Sequence, residues 1–173
     1  MSTTYQSFYP SLPERNELLT TTLASKNELL KELLRVPGIG QDLLQESRVV
    51  QLSVNQVLYE QGDKIEFLYF PLDSVVSGLA IMEDGTTIET AMVGCESVVG
   101  ISTILGSGLS RQWVWVTVAG NAIQLDSKFL DRLLVQSEAA LKGLLHCYRQ
   151  LITQISQRCV CNTRHTIMER LCC

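Results

Sequence analysis

The stretch VGISTILGSGLSRQW, from Val99 to Trp113, combines residue types that could hold a phosphate group. It contains three glycines, a segment that reads as one helical turn, and a single arginine, Arg111. Free backbone N–H groups at the start of a helical turn, with a guanidinium facing them, are groups that bind phosphate. No carboxylate in the stretch could accept a hydrogen bond from a sugar hydroxyl. The residues predict either an anion pocket without a sugar acceptor or an arginine that only forms an ion pair at a strand end.

The other residues that could carry chemistry form no recognisable site. The histidines, His146 and His165, lie outside the strand-rich middle of the chain, so a cupin-type metal centre would lack its ligands. Cys159 and Cys161 would point about 200° apart on a continuous helix. A cluster of Cys161, His165 and Cys172 has no common zinc spacing, and no P-loop or Ser–His–Asp order is present. We therefore expect no catalytic residue, no metal and no cofactor, and we interpret the six cysteines as structural thiols.

The composition is that of one globular domain with an appendage. The chain has 173 residues, of which 46% are hydrophobic and 18% charged. It has no apolar run long enough to cross a membrane and no secretion signal, so we expect a cytoplasmic protein. The net charge of −4 is uneven: residues 1–140 carry 9 basic and 17 acidic side chains, and residues 141–173 carry 5 and 1. The basic C-terminal end indicates either that this end of the protein approaches a polyanion or that its arginines are solvated on a helix face.

Short β-rich segments occupy the middle of the chain. The leucine spacing predicts a helix over Leu18–Leu34, and a second helix over Gln41–Glu46 follows the break at Pro37. Asp84-Gly85 is typical of a two-residue hairpin turn. Seven short strands joined by tight turns predict a double-sheet jelly roll; their predicted bounds are Val49–Val54, Val57–Glu60, Phe67–Pro71, Val75–Met82, Thr86–Val93, Trp113–Gly120 and Ala122–Leu125.

One long helix is predicted from Glu138 onward. Apolar residues repeat along it in steps of four and three, as in a coiled coil; they are Leu141, Leu145, Tyr148, Ile152, Ile155 and Cys159. A second stripe contains Ala140, Leu144, Cys147 and Leu151. We expect one stripe to lie on the barrel and the other to meet the helix of a second copy, although one wide buried face would give the same pattern. A capping box at Thr166 then predicts a further helix, of which the sequence contains about two turns.

These segments together resemble the effector half of the Crp/Fnr family of bacterial transcription regulators. The resemblance covers residues 18–173, and it rests on the order and spacing of VLYEQGD, YFP, VVS, EDG, VGCESVVG and CNTRHTIMERLC. It implies an α+β fold, with a β-roll (a double-stranded β-helix, or jelly roll) flanked by N-terminal helices and a long dimerisation helix. The implied divisions are a flexible leader (1–13), the cyclic-nucleotide-binding-like sensor domain (14–137), the dimerisation helix (138–162) and the start of a truncated DNA-binding domain (163–173).

The opening stretch corresponds in this resemblance to the family's phosphate-binding cassette. Aligning Gly100 with the cassette glycine places Ile101 on the ribose-binding glutamate, Arg111 on the phosphate-binding arginine and Gln112 on the small hydroxyl residue. A ribose hydroxyl against Ile101 would lose water without gaining an acceptor, at a cost of about 1–3 kcal/mol for each unpaired group. We therefore expect that cyclic AMP is not bound in the usual way.

The resemblance implies a sensor and not an enzyme. The candidate ligand residues are Gly100, Ile101, Ser102, Arg111 and Gln112, and the candidate dimer residues are Leu141, Leu145, Tyr148, Ile152 and Ile155. The implied partners are a second copy, an unknown small-molecule effector, DNA through a helix-turn-helix missing from this sequence, and RNA polymerase. Two alternatives remain open: a cyclic-nucleotide-binding module of another protein, and a jelly-roll metalloenzyme.

Overall fold

Seven antiparallel strands in two sheets form the body of the protein. The computed structural model describes residues 23–103, 106 and 108–164. One sheet has the strand order β1-β7-β3 and the other β2-β6-β4-β5. Buried residues of both sheets form one core between them, so the predicted α+β fold with a β-roll is confirmed. The strands are β1 (Arg48–Leu52), β2 (Val57–Tyr59), β3 (Phe67–Pro71), β4 (Val75–Ile81), β5 (Thr87–Val93), β6 (Trp113–Val118) and β7 (Gly120–Asp126).

Alternation along the strands decides which side chains enter the core. In β6, Val114 and Val116 are buried, while Trp113 and Trp115 lie half-buried on the opposite face. Successive side chains of a strand point to opposite faces, and the branched valines pack well against a neighbouring sheet. The observed strands lie within two residues of the predicted bounds, with differences at their ends only.

The β4–β5 hairpin has a different turn from the predicted one. Only Gly85 has a positive φ, +83°, whereas a two-residue type I′ turn needs a positive φ at both central residues. The Gly85 N–H donates to the Met82 carbonyl, and the Met82 N–H donates to the Thr86 carbonyl. This is a three-residue loop closed by a left-handed glycine, which fits the right-handed twist of the strands.

Among the described residues, helices with defined bounds surround the roll; they are α1 (Glu28–Leu34), α2 (Gly40–Glu46), α3 (Ser127–Gln136) and α4 (Glu138–Arg164). The prediction of a continuous helix up to Leu34 is wrong, because Asn27 interrupts it and caps α1. The Asn27 side chain is fully buried; its Oδ1 accepts from the Leu30 N–H, and its Nδ2 donates to the carbonyls of Pro71 (3.0 Å) and Ser97 (2.9 Å). One side chain therefore joins the start of α1 to the end of β3 and to the segment that leads into the candidate site.

Helix α4 is the longest element, with 27 residues and a length of about 40 Å. It continues through Asn162 to Arg164, the last residue described before 165–173, and so includes the predicted limit at 162. Asp126 caps the helix before it, α3, as its Oδ1 accepts from the N–H groups of Lys128 and Phe129. The predicted leader (1–13) and the capping box at Thr166 lie outside the described residues. Within the described part, no helix is long and apolar enough to cross a membrane.

Candidate functional site

The candidate ligand site begins with a turn that only glycine fits well. Gly100 has φ +94°, and a Cβ at this position would lie 3.0 Å from Leu68 Cδ2, 3.0 Å from Tyr59 Oη and 3.1 Å from Ile65 Cγ2. The preceding residue, Val99, exchanges both backbone hydrogen bonds with Tyr69 of β3. The bridge and the close approach together place the turn directly against the core of the roll.

Ile101 starts a short 3₁₀ turn (Ile101–Thr103), and its side chain enters the core. Only 6% of Ile101 is exposed. The Thr103 hydroxyl donates to the Gly100 carbonyl at 3.0 Å, and Ser102 between them is half-buried. The structure therefore has an apolar core residue at the position that the resemblance assigns to a ribose-binding carboxylate.

Arg111 lies at the exposed end of the loop before β6. Three backbone hydrogen bonds fasten this loop to the segment after β2: the Gly62 N–H donates to the Ser110 carbonyl, the Ser110 N–H to the Asp63 carbonyl, and the Ile65 N–H to the Gly108 carbonyl. Among the described residues, Arg111 takes part in no ion pair, so the alternative prediction of a strand-end ion pair finds no partner there. The guanidinium is left accessible at the rim of the site.

Gln112 is engaged within the protein itself. Its Oε1 accepts a hydrogen bond from the Thr90 hydroxyl of β5 at 2.7 Å. Its amide group also lies over Gly78 of β4, where a Cβ would collide with it. The side chain thus bridges β6, β4 and β5 and occupies space on the sheet. A ligand that needed this amide would have to break its bond to Thr90.

Two neighbouring side chains support the turn rather than a ligand. Tyr59, 5% exposed, donates its hydroxyl to the Phe67 carbonyl. Burial, and to a smaller extent the nearby Tyr69, raise the pKa of Tyr59 well above its usual value, so the hydroxyl stays neutral. Glu96 is exposed, and its Oε1 accepts from the Gly94 N–H at 2.9 Å. Glu96 is therefore part of the loop before the site and does not replace the missing carboxylate.

Helix α4 presents different residues to the body and to solvent. Ala140, Leu144 and Cys147 are at most 3% exposed and pack in the core beneath α1 and α3. Of the candidate dimer residues, Leu141, Leu145 and Ile152 are 36%, 46% and 48% exposed; Tyr148 and Ile155 are half-buried. An apolar stripe of Leu141, Leu145 and Ile152 therefore remains uncovered along the outer side of the helix, whereas Tyr148 packs against the core.

A second concave surface, which the sequence did not indicate, lies between α2, the sheet β1-β7-β3 and α3. It has a volume of about 560 Å³ and is lined by Glu46, Arg48, Phe67, Gln124, Asp126, Lys128, Phe129 and Arg132. The Arg132 guanidinium stacks over the Phe129 ring, 5.9 Å from its centroid. The residues come from three separate stretches of the sequence and share no motif, so no local pattern could have identified the surface. It contains none of the candidate ligand residues.

The cysteines in the described part of the chain are free thiols that differ in burial. No group of three or more His, Cys, Asp or Glu side chains there is arranged to hold a metal ion. Cys147 and Cys161 are buried free thiols, and Cys95 and Cys159 are exposed ones. Burial raises the pKa of the Cys147 thiol, which lies 2.9 Å from the Ser97 hydroxyl. Cys147 is consequently placed as a packing residue.

Comparison with known proteins finds similarity in structure only. The sequence matches no protein-family model and no curated protein. One similar solved structure is FixK2 from Bradyrhizobium japonicum, with a TM-score of 0.63 and 16% identity over 72% of this chain and 61% of that chain. Another is CLP, described as a c-di-GMP responsive global regulator of Xanthomonas campestris, with a TM-score of 0.62 and 14% identity over 75% and 66%.

A third similar structure comes from outside the bacteria. It is the regulatory subunit of a cAMP-independent protein kinase A from Trypanosoma brucei, with a TM-score of 0.61 and 15% identity over 79% of this chain and 47% of that chain. The chain thus spans between about half and two thirds of the length of these three proteins. At such identities the similarity establishes the fold alone.

Proposed function

We propose that this chain is the ligand-sensing, dimerising effector domain of a bacterial Crp/Fnr-type transcription regulator. In this proposal a small molecule binds at the turn Gly100–Ser102 with Arg111 and Gln112, and α4 pairs with its counterpart in a second copy. DNA is bound by a helix-turn-helix module beyond α4, with RNA polymerase as a further partner. Support comes from the fold shared with FixK2 and with CLP, the latter described as a global regulator.

The uncovered stripe on α4 is the observation that carries the dimer. Leu145 and Ile152 are seven residues apart and about half exposed, so both lie on one line along the outer side of the helix. Burying the remaining half of a leucine or isoleucine contributes about 1 kcal/mol. Because each residue occurs in both copies, the two positions contribute about 4 kcal/mol to pairing.

The candidate site favours an effector other than cyclic AMP. Arg111 supplies an accessible positive charge, but Ile101 is a core residue and Gln112 is bonded to Thr90. The two side-chain partners that a cyclic nucleotide would lack correspond to unpaired groups at about 1–3 kcal/mol each. An anion without a sugar hydroxyl avoids that cost. The domain is therefore proposed to respond to a small anion that Arg111 can pair with.

A reporter for dimerisation tests the proposal in cells. The chain is fused to a DNA-binding head that represses its operator only as a dimer. We expect repression with the natural sequence, loss of repression in Leu145→Ala/Ile152→Ala, and unchanged repression in Val135→Ala, a control residue of α3 that is 89% exposed. Absence of repression by the natural chain, or equal loss in the control, would contradict the dimer.

Titration calorimetry of the purified chain with cyclic AMP tests the ligand. We expect no saturable heat of binding. Saturable binding that disappears in Arg111→Ala would instead identify a cyclic-nucleotide-binding module, the alternative left open by the sequence.

A further inference from the structure

One ion pair connects the far half of α4 to the roll. Arg158 Nη1 lies 2.8 Å from Glu89 Oε1 of β5, and the two residues are 69 positions apart. About a third of each side chain is exposed. The other two ion pairs in the described part of the chain join residues of the same helix, three or four positions apart. Within the described part of the chain, Arg158–Glu89 is thus the ion pair that joins two separate elements.

Glu89 is held in place from the side of the sheet. The Ser77 hydroxyl of β4 donates to Glu89 Oε2 at 2.7 Å, and Ser77 Oγ lies 2.6 Å from Thr117 Oγ1 of β6. A serine hydroxyl has a single proton, which Ser77 gives to Glu89, so Thr117 must be the donor to Ser77. Both oxygens of the carboxylate are therefore fixed, one by the strands and one by the helix. Ser77 itself is 1% exposed.

The helical phase places Arg158 in the body-facing stripe. Leu144, Leu151 and Arg158 follow one another at intervals of seven residues, and seven residues return an α-helix to within about 20° of the same face. Leu144 is buried and Leu151 is partly buried against the core. Arg158 therefore occupies the third position of a line that is otherwise made of leucines. At that position the helix meets a carboxylate and not an apolar surface.

We propose that the Arg158–Glu89 ion pair, oriented by Ser77 and Thr117, is the directional contact that fixes the C-terminal half of α4 on the sheet. Leu144 and Leu151 attach the first part of the helix by packing, and the ion pair orients the part from Ile152 to Arg164, in which Cys161 is also buried. Arg158 and Glu89 are positioning residues in this role, because they set where the helix lies and touch no reacting group. Displacement of β5 relative to β4 would then displace this part of α4.

The inference does not depend on the proposed function, since it concerns how the helix is attached within one copy. Hydrogen–deuterium exchange, followed by mass spectrometry of peptides, measures this attachment in the full 173-residue chain. We expect Arg158→Gln and Glu89→Gln each to accelerate amide exchange about two- to fivefold in 152–164, the range for a partly exposed ion pair. Exchange in 138–147 is expected to stay unchanged. The charge-exchanged variant Glu89→Arg/Arg158→Glu is expected to recover part of the protection.

Lys142→Gln is the matched control. It breaks the Lys142–Glu138 ion pair of the same helix, in which both side chains are more than 70% exposed and neither reaches the sheet. Exchange in 152–164 is expected to be the same in this variant as in the natural chain. The proposal is overturned if Arg158→Gln leaves exchange in 152–164 unchanged, or if Lys142→Gln accelerates it equally. Arg158→Gln alone decides the matter if a Glu89 variant fails to fold, because Arg158 lies partly in solvent.

Dimerisation is measured in parallel by sedimentation of the same samples. If the natural chain is a monomer and Arg158→Gln still loosens 152–164, the proposed dimer is contradicted while this inference stands. If the chain is a dimer and Arg158→Gln has no effect on exchange, the inference alone fails.

Discussion

Replacement of Gly100 by alanine separates two reasons for a glycine in the candidate site. A positive φ costs any residue with a Cβ about 1–2 kcal/mol. At Gly100, with φ +94°, the added Cβ would also lie within 3.1 Å of Leu68, Tyr59 and Ile65. Forcing an extra carbon into a packed core costs about 1–3 kcal/mol more. Gly100→Ala is therefore expected to lower the free energy of unfolding by about 2–5 kcal/mol in total.

Gly85 provides the matched control for the backbone term. Its φ is +83°, and a Cβ at that position would meet no heavy atom within 4 Å. Gly85→Ala should therefore cost only the backbone strain, about 1–2 kcal/mol. For a domain of this size, 1 kcal/mol corresponds to about 2–4 °C in Tm. Gly100→Ala should consequently melt about 2–12 °C below Gly85→Ala.

Urea titration and differential scanning calorimetry measure both variants against the natural chain. Comparison of the two alanines cancels most of the change in the unfolded state, because both remove one glycine from it. If Gly100→Ala and Gly85→Ala are equally destabilised, the close approach of the turn to the core does not contribute to the free energy of unfolding. In that case, the absence of a Cβ at Gly100 would not be what holds the candidate site against Tyr59 and Leu68.

Two further predictions concern titratable side chains. Because the pKa of Tyr59 is raised, its neutral form stabilises the fold below the unfolded-state pKa of about 10, and this contribution is lost as the pH rises above that value. Tyr59→Phe should therefore lose less stability between pH 9 and 11 than the natural chain does, as measured by urea titration. An equal loss in both would contradict this role of Tyr59. Peptide-resolved alkylation at neutral pH should modify exposed Cys95 and Cys159 before buried Cys147, whose pKa is raised by burial. Equal rates at Cys95 and Cys147 would show that Cys147 is not packed as described.

The strands could be predicted from the sequence because their pattern is local. The aromatic and β-branched residues that alternate in WVWVTV indicate a strand from the segment alone, and β6 begins at the predicted Trp113. The turn at Asp84-Gly85 was located correctly, but its type depends on the hydrogen bonds that close the loop. The pattern over Leu18–Leu34 indicated one helix because the leucine spacing continues across Asn27, whose partners Pro71 and Ser97 are remote in sequence.

The sequence indicates which residues form the candidate site, but it does not indicate the contacts of their side chains. The alignment with Gly100 indicated that Ile101 replaces an acceptor, and the structure adds that Ile101 is a core residue. The engagement of Gln112 with Thr90, 22 positions away, depends on the register of β5 and β6 around β4. The pairing of Glu89 with Arg158 spans 69 positions. No spacing rule reaches contacts at such separations, because the topology of the sheet creates them.

The contacts of α4 determine how a change in the roll would reach the end of the helix. Packing of Leu144 and Leu151 is non-directional, and it tolerates a small shift of the helix along the surface on which these leucines pack. The Arg158–Glu89 ion pair is directional, because both carboxylate oxygens already have fixed partners. A movement of β5 is therefore transmitted mainly to the part of α4 beyond Ile152. For a ligand to act through this route, it must bind one arrangement of β5 more tightly than another, since equal binding shifts no equilibrium. Gln112 lies at the point where this difference can arise, because its amide is bonded to Thr90 of β5.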